Sequence, residues 1–180
     1  MGLDMYLTRR HYVKNWEHQK PEEKHVLTIE GPKKDEIDLS KVSEITEEVA
    51  YWRKANQIHK WFVDNVQDGN DNCGDYYVSR QQLQDLVDLC KQVIKASKLV
   101  KGKVSNGYTF ENGKRKDILV DGKYIEDSSV AQELLPTQEG FFFGGNDYDE
   151  YYLQHLKNTI EQIEPHLVSD SGDFYYHSSW

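Results

Sequence analysis

The stretch VSEITEEVAYWRKANQIHKWFVDNV (42–66) constrains the fold of this chain more than any other. Steps of three and four from Val42 reach Ile45, Val49, Trp52, Asn56, His59, Val63 and Val66. That spacing is one face of an amphipathic helix, so it predicts a helix from about 42 to 66. Six of the eight positions are apolar, and Asn56 and His59, one turn apart, are the exceptions. Burying an amide or an imidazole without partners costs about 1–3 kcal/mol each. The pair must therefore be satisfied inside the core, meet solvent where the helix emerges, or line a cavity. In the last case Trp52, Asn56 and His59 are candidate ligand-binding residues, with Trp61 and Phe62 as walls and Arg53 at the rim. His59 is then the group suited to acid–base work or a pH-sensitive contact.

The remaining segments read as follows. Leu3, Met5 and Leu7 alternate with Asp4, Tyr6 and Thr8, which predicts a half-buried strand within 3–13. Residues 15–24 are polar and carry Pro21, a loop, and HVLTIEG (25–31) is expected to pair with the first strand. QDGNDNCGD (67–75) is a turn, and YYVS (76–79) is strand-like. Ser79 is placed to cap a helix over 80–97, whose stripe is Leu83, Leu86, Val87, Cys90, Val93 and Ile94. Asn106-Gly107, Asn112-Gly113 and Asp121-Gly122 predict turns of a small hairpin or meander over 99–126. VAQELL (130–135) is a short helical turn before Pro136. A last helix runs from Tyr148 to about Leu167 on Tyr152, Leu156, Ile160, Ile163 and Leu167. Residues 169–180 are a tail rich in aromatics, free or docked on the body.

Together these elements predict an α+β fold. Three main helices pack on a small antiparallel sheet within a single domain, 1–168, with the 99–126 hairpin as an insertion. The chain, 180 residues long, can bury a core without disulfides or a structural metal. Its 12 Tyr, 6 Phe and 4 Trp offset a modest apolar fraction of 37%.

Charge and motifs narrow the function classes. A formal net charge of -9 argues against non-specific nucleic-acid binding, which needs cations to neutralise phosphates, and suits a basic protein partner. Two cysteines, Cys73 and Cys90, make no disulfide framework and point to a reducing, cytoplasmic setting. MGLDMYLTRR has no apolar stretch of signal-peptide length, Tyr6 stands where myristoylation wants Ser or Thr, and no apolar run reaches membrane-spanning length.

DGNDNCGD offers oxygen ligands at Asp68, Asn70 and Asn72, but Cys73 occupies the glycine position of a calcium loop and Ser79 the closing glutamate. GFFFGG (140–145) lacks the phosphate-binding glycine patterns and reads as a core strand, a tight loop or an aromatic wall, which adds Phe142 to the candidate ligand-binding residues. Asp149 and Glu150 sit at a helix start, where the dipole favours them; pairing with Arg53 or Lys54 is the alternative. No zinc, nucleophile-elbow or kinase pattern is present, so no catalytic residue, metal or cofactor is assigned.

Four segments carry a resemblance: MGLDMYL (1–7), EVAYWRKANQIHKWFV (48–63), NVQDGNDNCGDYYVS (65–79) and ELLPTQEGFFFGGNDYDEYYL (133–153). Together they resemble a family of small, uncharacterised proteins encoded by bacteriophages and prophages. The resemblance covers most of the chain and brings no site residues with it. It implies a small accessory protein in the bacterial host cytoplasm, and the reading adopted, which rests on that setting and the net charge, is a non-enzymatic one. Such a protein would bind a host macromolecule, with inhibition of a defence or nucleic-acid-processing system as the analogy. The alternative is a small-ligand-binding protein or enzyme built around Asn56 and His59.

Overall fold

A computed structural model describes residues 2–140 and 142–180, with only the backbone of Tyr108 and Arg115; Phe141, the first of the three phenylalanines, lies outside them. The fold is α+β. Strands β1 (Asp4–Tyr12), β2 (Glu44–Arg53), β3 (Tyr76–Val78) and β6 (Asp173–Ser179) form an antiparallel sheet in the order β2-β1-β6-β3. Helices α1 (Asn56–Asn65), α2 (Arg80–Ala96) and α4 (Glu150–Ile163) supply the other layer, with a short α3 (Ser129–Leu134) beside them. Strands β4 (Leu99–Glu111) and β5 (Lys114–Ile125) pair only with each other, as a separate two-stranded sheet.

β1 follows its alternation. Leu3, Met5 and Leu7 are wholly buried and face the helices, whereas Asp4, Tyr6 and Thr8 stay partly exposed. Its partner is not residues 25–31, which form no strand, but β2, in register from Asp4↔Arg53 to Tyr12↔Glu44. The intervening residues 14–43 contain no buried residue, and Val26 and Ile29 stay exposed, so this segment adds nothing to the core.

The helix expected over 42–66 is two elements. Residues 44–53 are strand β2, and only Asn56–Asn65 is helical. The reason is a β-bulge. Pairing slips between Leu7↔Ala50 and Thr8↔Glu48, so Val49 is an extra residue and both Val49 and Ala50 are buried. A bulge breaks the two-residue alternation of a strand. Here it leaves the spacing Ile45, Val49, Trp52, which imitates helical steps of four and three. Strand gives way to helix at Lys54, whose φ of 58° is left-handed, without a glycine or proline to mark the break. Gly144 makes room there, since a Cβ on it would come within 3.0 Å of the Lys54 carbonyl.

α2 begins as expected. Ser79 Oγ accepts from the Gln82 amide at 3.2 Å, and Gln82 Oε1 accepts from the Ser79 amide at 2.9 Å, a reciprocal cap. Leu83, Leu86, Val87, Cys90 and Val93 are all wholly buried. The last helix is shorter than its stripe implied, ending at Ile163 in a 3₁₀ turn, Glu164–His166, forced by Pro165. In the hairpin the chain turns at Asn112-Gly113, both with positive φ. Asn106-Gly107 marks an irregularity in pairing, and Gly122 sits opposite Gly102 in mid-strand, so neither of those expected turns occurs.

Residues 169–180, set apart in the sequence as a tail, supply β6, an inner strand between β1 and β3. Phe174, Tyr176 and Ser178 are its buried positions, and the Tyr176 ring stacks on Phe62 of α1 at 3.9 Å between centroids.

Candidate functional site

The two polar exceptions sit on the first two turns of α1, both wholly or almost wholly buried, and both have partners. Asn56 fastens the 137–146 loop. Its amide nitrogen donates to the carbonyls of Gly145 (2.8 Å) and Phe143 (3.2 Å), with Asn146 Oδ1 at 3.4 Å. Its carbonyl oxygen accepts from the Gln138 amide at 3.1 Å. An asparagine is thus serving as a cross-link between a helix and a loop whose backbone groups would otherwise be unpaired.

His59 links three segments. Nδ1 lies 2.7 Å from the Tyr176 hydroxyl on β6, and Nε2 lies 3.0 Å from Asp71 Oδ2 in the turn after α1. Phe143 abuts the imidazole edge-on, with centroids 5.1 Å apart. The other Asp71 oxygen accepts from the Trp180 indole at 3.1 Å. Burial raises the Tyr176 phenol well above its usual range, so it stays protonated as a hydrogen-bonding group. With both ring nitrogens engaged and the side chain inaccessible, His59 is not presented to any ligand.

Trp52 is also core: its indole donates to Thr159 Oγ1 at 2.9 Å, joining β2 to α4. Arg53 and Phe142 differ from the other three candidates, because they line an open cleft of about 1290 Å³. Of the five, the structure therefore brings these two to a common surface, and Trp52, Asn56 and His59 are buried and take no part in its lining. Lys54 and Gln57 continue the wall; the loop contributes Glu139, the residues between it and α4 contribute Asp147, α4 contributes Tyr151 and His155, and the hairpin contributes Asn106 and Asp117. Carboxylates outnumber cations along this lining.

At the floor, Gln57 Nε2 donates to the Tyr152 carbonyl and to His155 Nδ1, each at 3.4 Å. Burial holds the His155 imidazole below its ordinary range, consistent with a ring nitrogen that accepts. Asp149 does not pair with Arg53. Its carboxylate accepts from the Tyr152 amide at 2.9 Å and caps α4, while burial raises its pKa. Arg53 instead lies 3.8 Å from Asp4.

Sequence reasoning missed Asp71, Tyr176, Gln57 and Gln138 as partners. Asp71 stood in a run of turn-forming residues, and Tyr176 in a supposed tail. No local pattern linked either to His59, 12 and 117 residues away. Among the described residues no group of three or more His, Cys, Asp or Glu could hold a metal ion, and no helix is long and apolar enough to cross a membrane. No family model matches the chain, and neither curated proteins nor solved structures give a match.

Proposed function

We propose that this chain is a non-enzymatic binding protein that engages a host macromolecule, as a phage or prophage accessory protein of the bacterial cytoplasm. A defence or nucleic-acid-processing enzyme is the class of target that this setting suggests. One observation carries the reading. The polar groups expected to serve a pocket are turned inward and occupied by the fold, so what the molecule offers outward is a broad, open, acid-lined cleft. Small-molecule sites are usually closed enough to bury most of their ligand. An open cleft with surplus carboxylates, on a chain of net charge -9, suits a basic macromolecular surface instead.

The test is affinity isolation from host lysate with the tagged protein and a Glu139→Lys/Asp147→Lys variant. The expected result is a basic partner, retained by the native chain and lost by the variant. Recovery of no partner in any host, or of partners that ignore the charge reversal, would overturn the proposal.

The alternative, a small-ligand protein or enzyme, moves from His59 to Gln57 and His155, which reach the cleft floor. Thermal-shift measurements with nucleotides and common metabolites test it, because a ligand of the native state raises the melting temperature.

A further inference from the structure

The four-stranded sheet buries one face under the helices, and the other face carries an unusual set of side chains. The alternation of β1, β2, β6 and β3 puts Tyr6, Tyr51, Tyr175, His177 and Tyr77 there together. Tyr51, Tyr6 and His177 are opposite one another across three strands, and Tyr175 and Tyr77 follow one row on. Tyr6 stacks on His177 at 4.8 Å and meets Tyr51 at 5.2 Å, so the rings form one patch. The patch meets solvent: Tyr51 is 39% and Tyr77 56% exposed, and Tyr6, Tyr175 and His177 are partly exposed.

The same face already binds one guanidinium. Arg10 lies 4.0 Å over the Tyr175 ring, ion-pairs with Asp75 and has Glu44 at 3.9 Å. Ring below and carboxylates beside is the arrangement that a planar guanidinium prefers. Further carboxylates border the rings: Glu48, opposite Thr8, and Asp173, opposite Arg10, have no side-chain partner among the described residues. Tyrosine brings large contact area with few rotors, which is why it is enriched where proteins meet.

We propose that this face, centred on Tyr6, Tyr51 and Tyr175, docks an arginine-bearing segment of a protein partner. A guanidinium of the partner lies on a tyrosine ring against Glu48 or Asp173. This goes beyond the proposed cleft interface to a second surface; it rests on the chain's being a binding protein and names the partner's chemistry. It commits to arginine because lysine lacks the planar group that stacks, and to protein because an acidic face repels a phosphate backbone.

The experiment titrates the full-length, ¹⁵N-labelled chain with acetyl-Gly-Arg-Gly-Arg-Gly-amide and follows amide shifts. The expected shifts cluster at Tyr6, Tyr51, Tyr175 and His177. The lysine analogue should bind about two- to fivefold more weakly. Glu48→Lys/Asp173→Asn should weaken the arginine peptide further, with the melting temperature unchanged. Absence of shifts on this face, equal response to both peptides with no effect of the variant, or response to oligouridylate in place of the peptide would each overturn the inference. The two proposals fail separately. A lysate partner captured equally well by Glu48→Lys/Asp173→Asn overturns the docking face and leaves the binding reading intact. Failure to capture any partner, with the arginine peptide still shifting Tyr6, Tyr51, Tyr175 and His177, overturns the proposed function and supports the docking face.

Discussion

His59 Nδ1 and the Tyr176 hydroxyl, 2.7 Å apart and both wholly buried, tie helix α1 to the last strand of the sheet across 117 residues of sequence. Nε2 of the same ring engages Asp71, so one imidazole spans the helix, its exit turn and the C-terminal strand. Tyr176→Phe keeps the ring that stacks on Phe62 and removes only the hydroxyl. Leaving a buried ring nitrogen unpaired should cost about 1–3 kcal/mol. Urea denaturation should show the midpoint falling with the slope unchanged, as expected when stability alone is altered.

Asn56→Ala should loosen the 137–146 loop more than the core. The substitution removes the acceptor of the Gln138 amide and the donor shared by two loop carbonyls. A global loss of about 1–3 kcal/mol is expected. Hydrogen exchange at Gln138 should accelerate well beyond that of the α2 amides. Equal acceleration everywhere would show that Asn56 does not act through the loop.

The His155 imidazole should make the protein lose stability as acidity rises. Its folded pKa is lowered by burial from an ordinary value of 6.5, so the unfolded chain takes up the proton first. The stabilising contribution is complete above that value and declines as pH falls through it towards the folded pKa. His155→Gln should flatten the pH dependence of unfolding free energy below about pH 6.5 relative to the native chain. An unchanged slope would mean that His155 is as free to protonate in the folded protein as in the unfolded one.

The hairpin depends on two facing glycines. A Cβ at Gly102 would lie 2.4 Å from the Tyr124 ring, and one at Gly122 would lie 2.4 Å from Val104. Gly122→Ala should therefore disturb β4–β5 pairing by about 1–3 kcal/mol of local crowding. Amide exchange in β4 and β5 should rise while β1 and β6, in the other sheet, stay protected.

The two thiols should differ sharply towards an alkylating reagent. Cys73 is exposed in the turn after α1, whereas Cys90 is buried in α2 and its pKa is pushed up to about 12 by burial. One equivalent should react in the native protein, at Cys73, and the second only on unfolding. Mass spectrometry after limited labelling reads this directly; early modification of Cys90 would contradict the packing of α2.

Much of the fold was legible because local rules and tertiary packing agreed. Ser79 and Gln82 capped α2 as their spacing implied, and its apolar stripe became the buried face. Asn112-Gly113 turned the hairpin because both residues accept positive φ. The candidate site was legible only in part. Asn56 and His59 did sit on one buried face of a helix, and the answer to their burial was hydrogen bonding rather than a cavity.

Sequence by itself determined the α+β class, the strand at 4–12, the helix after Ser79 and the hairpin near 99–126, because each rests on periodicity or turn chemistry held within a few residues. Tertiary structure alone decided that 44–53 is a strand, since a bulge set by pairing with β1 disguised its alternation as helical spacing. It also decided that Phe174 and Tyr176 belong to an inner strand and that His59 faces Asp71 and Tyr176. Those outcomes depend on which segments meet in space, and a partner more than a hundred residues away leaves no mark on the local pattern of a chain.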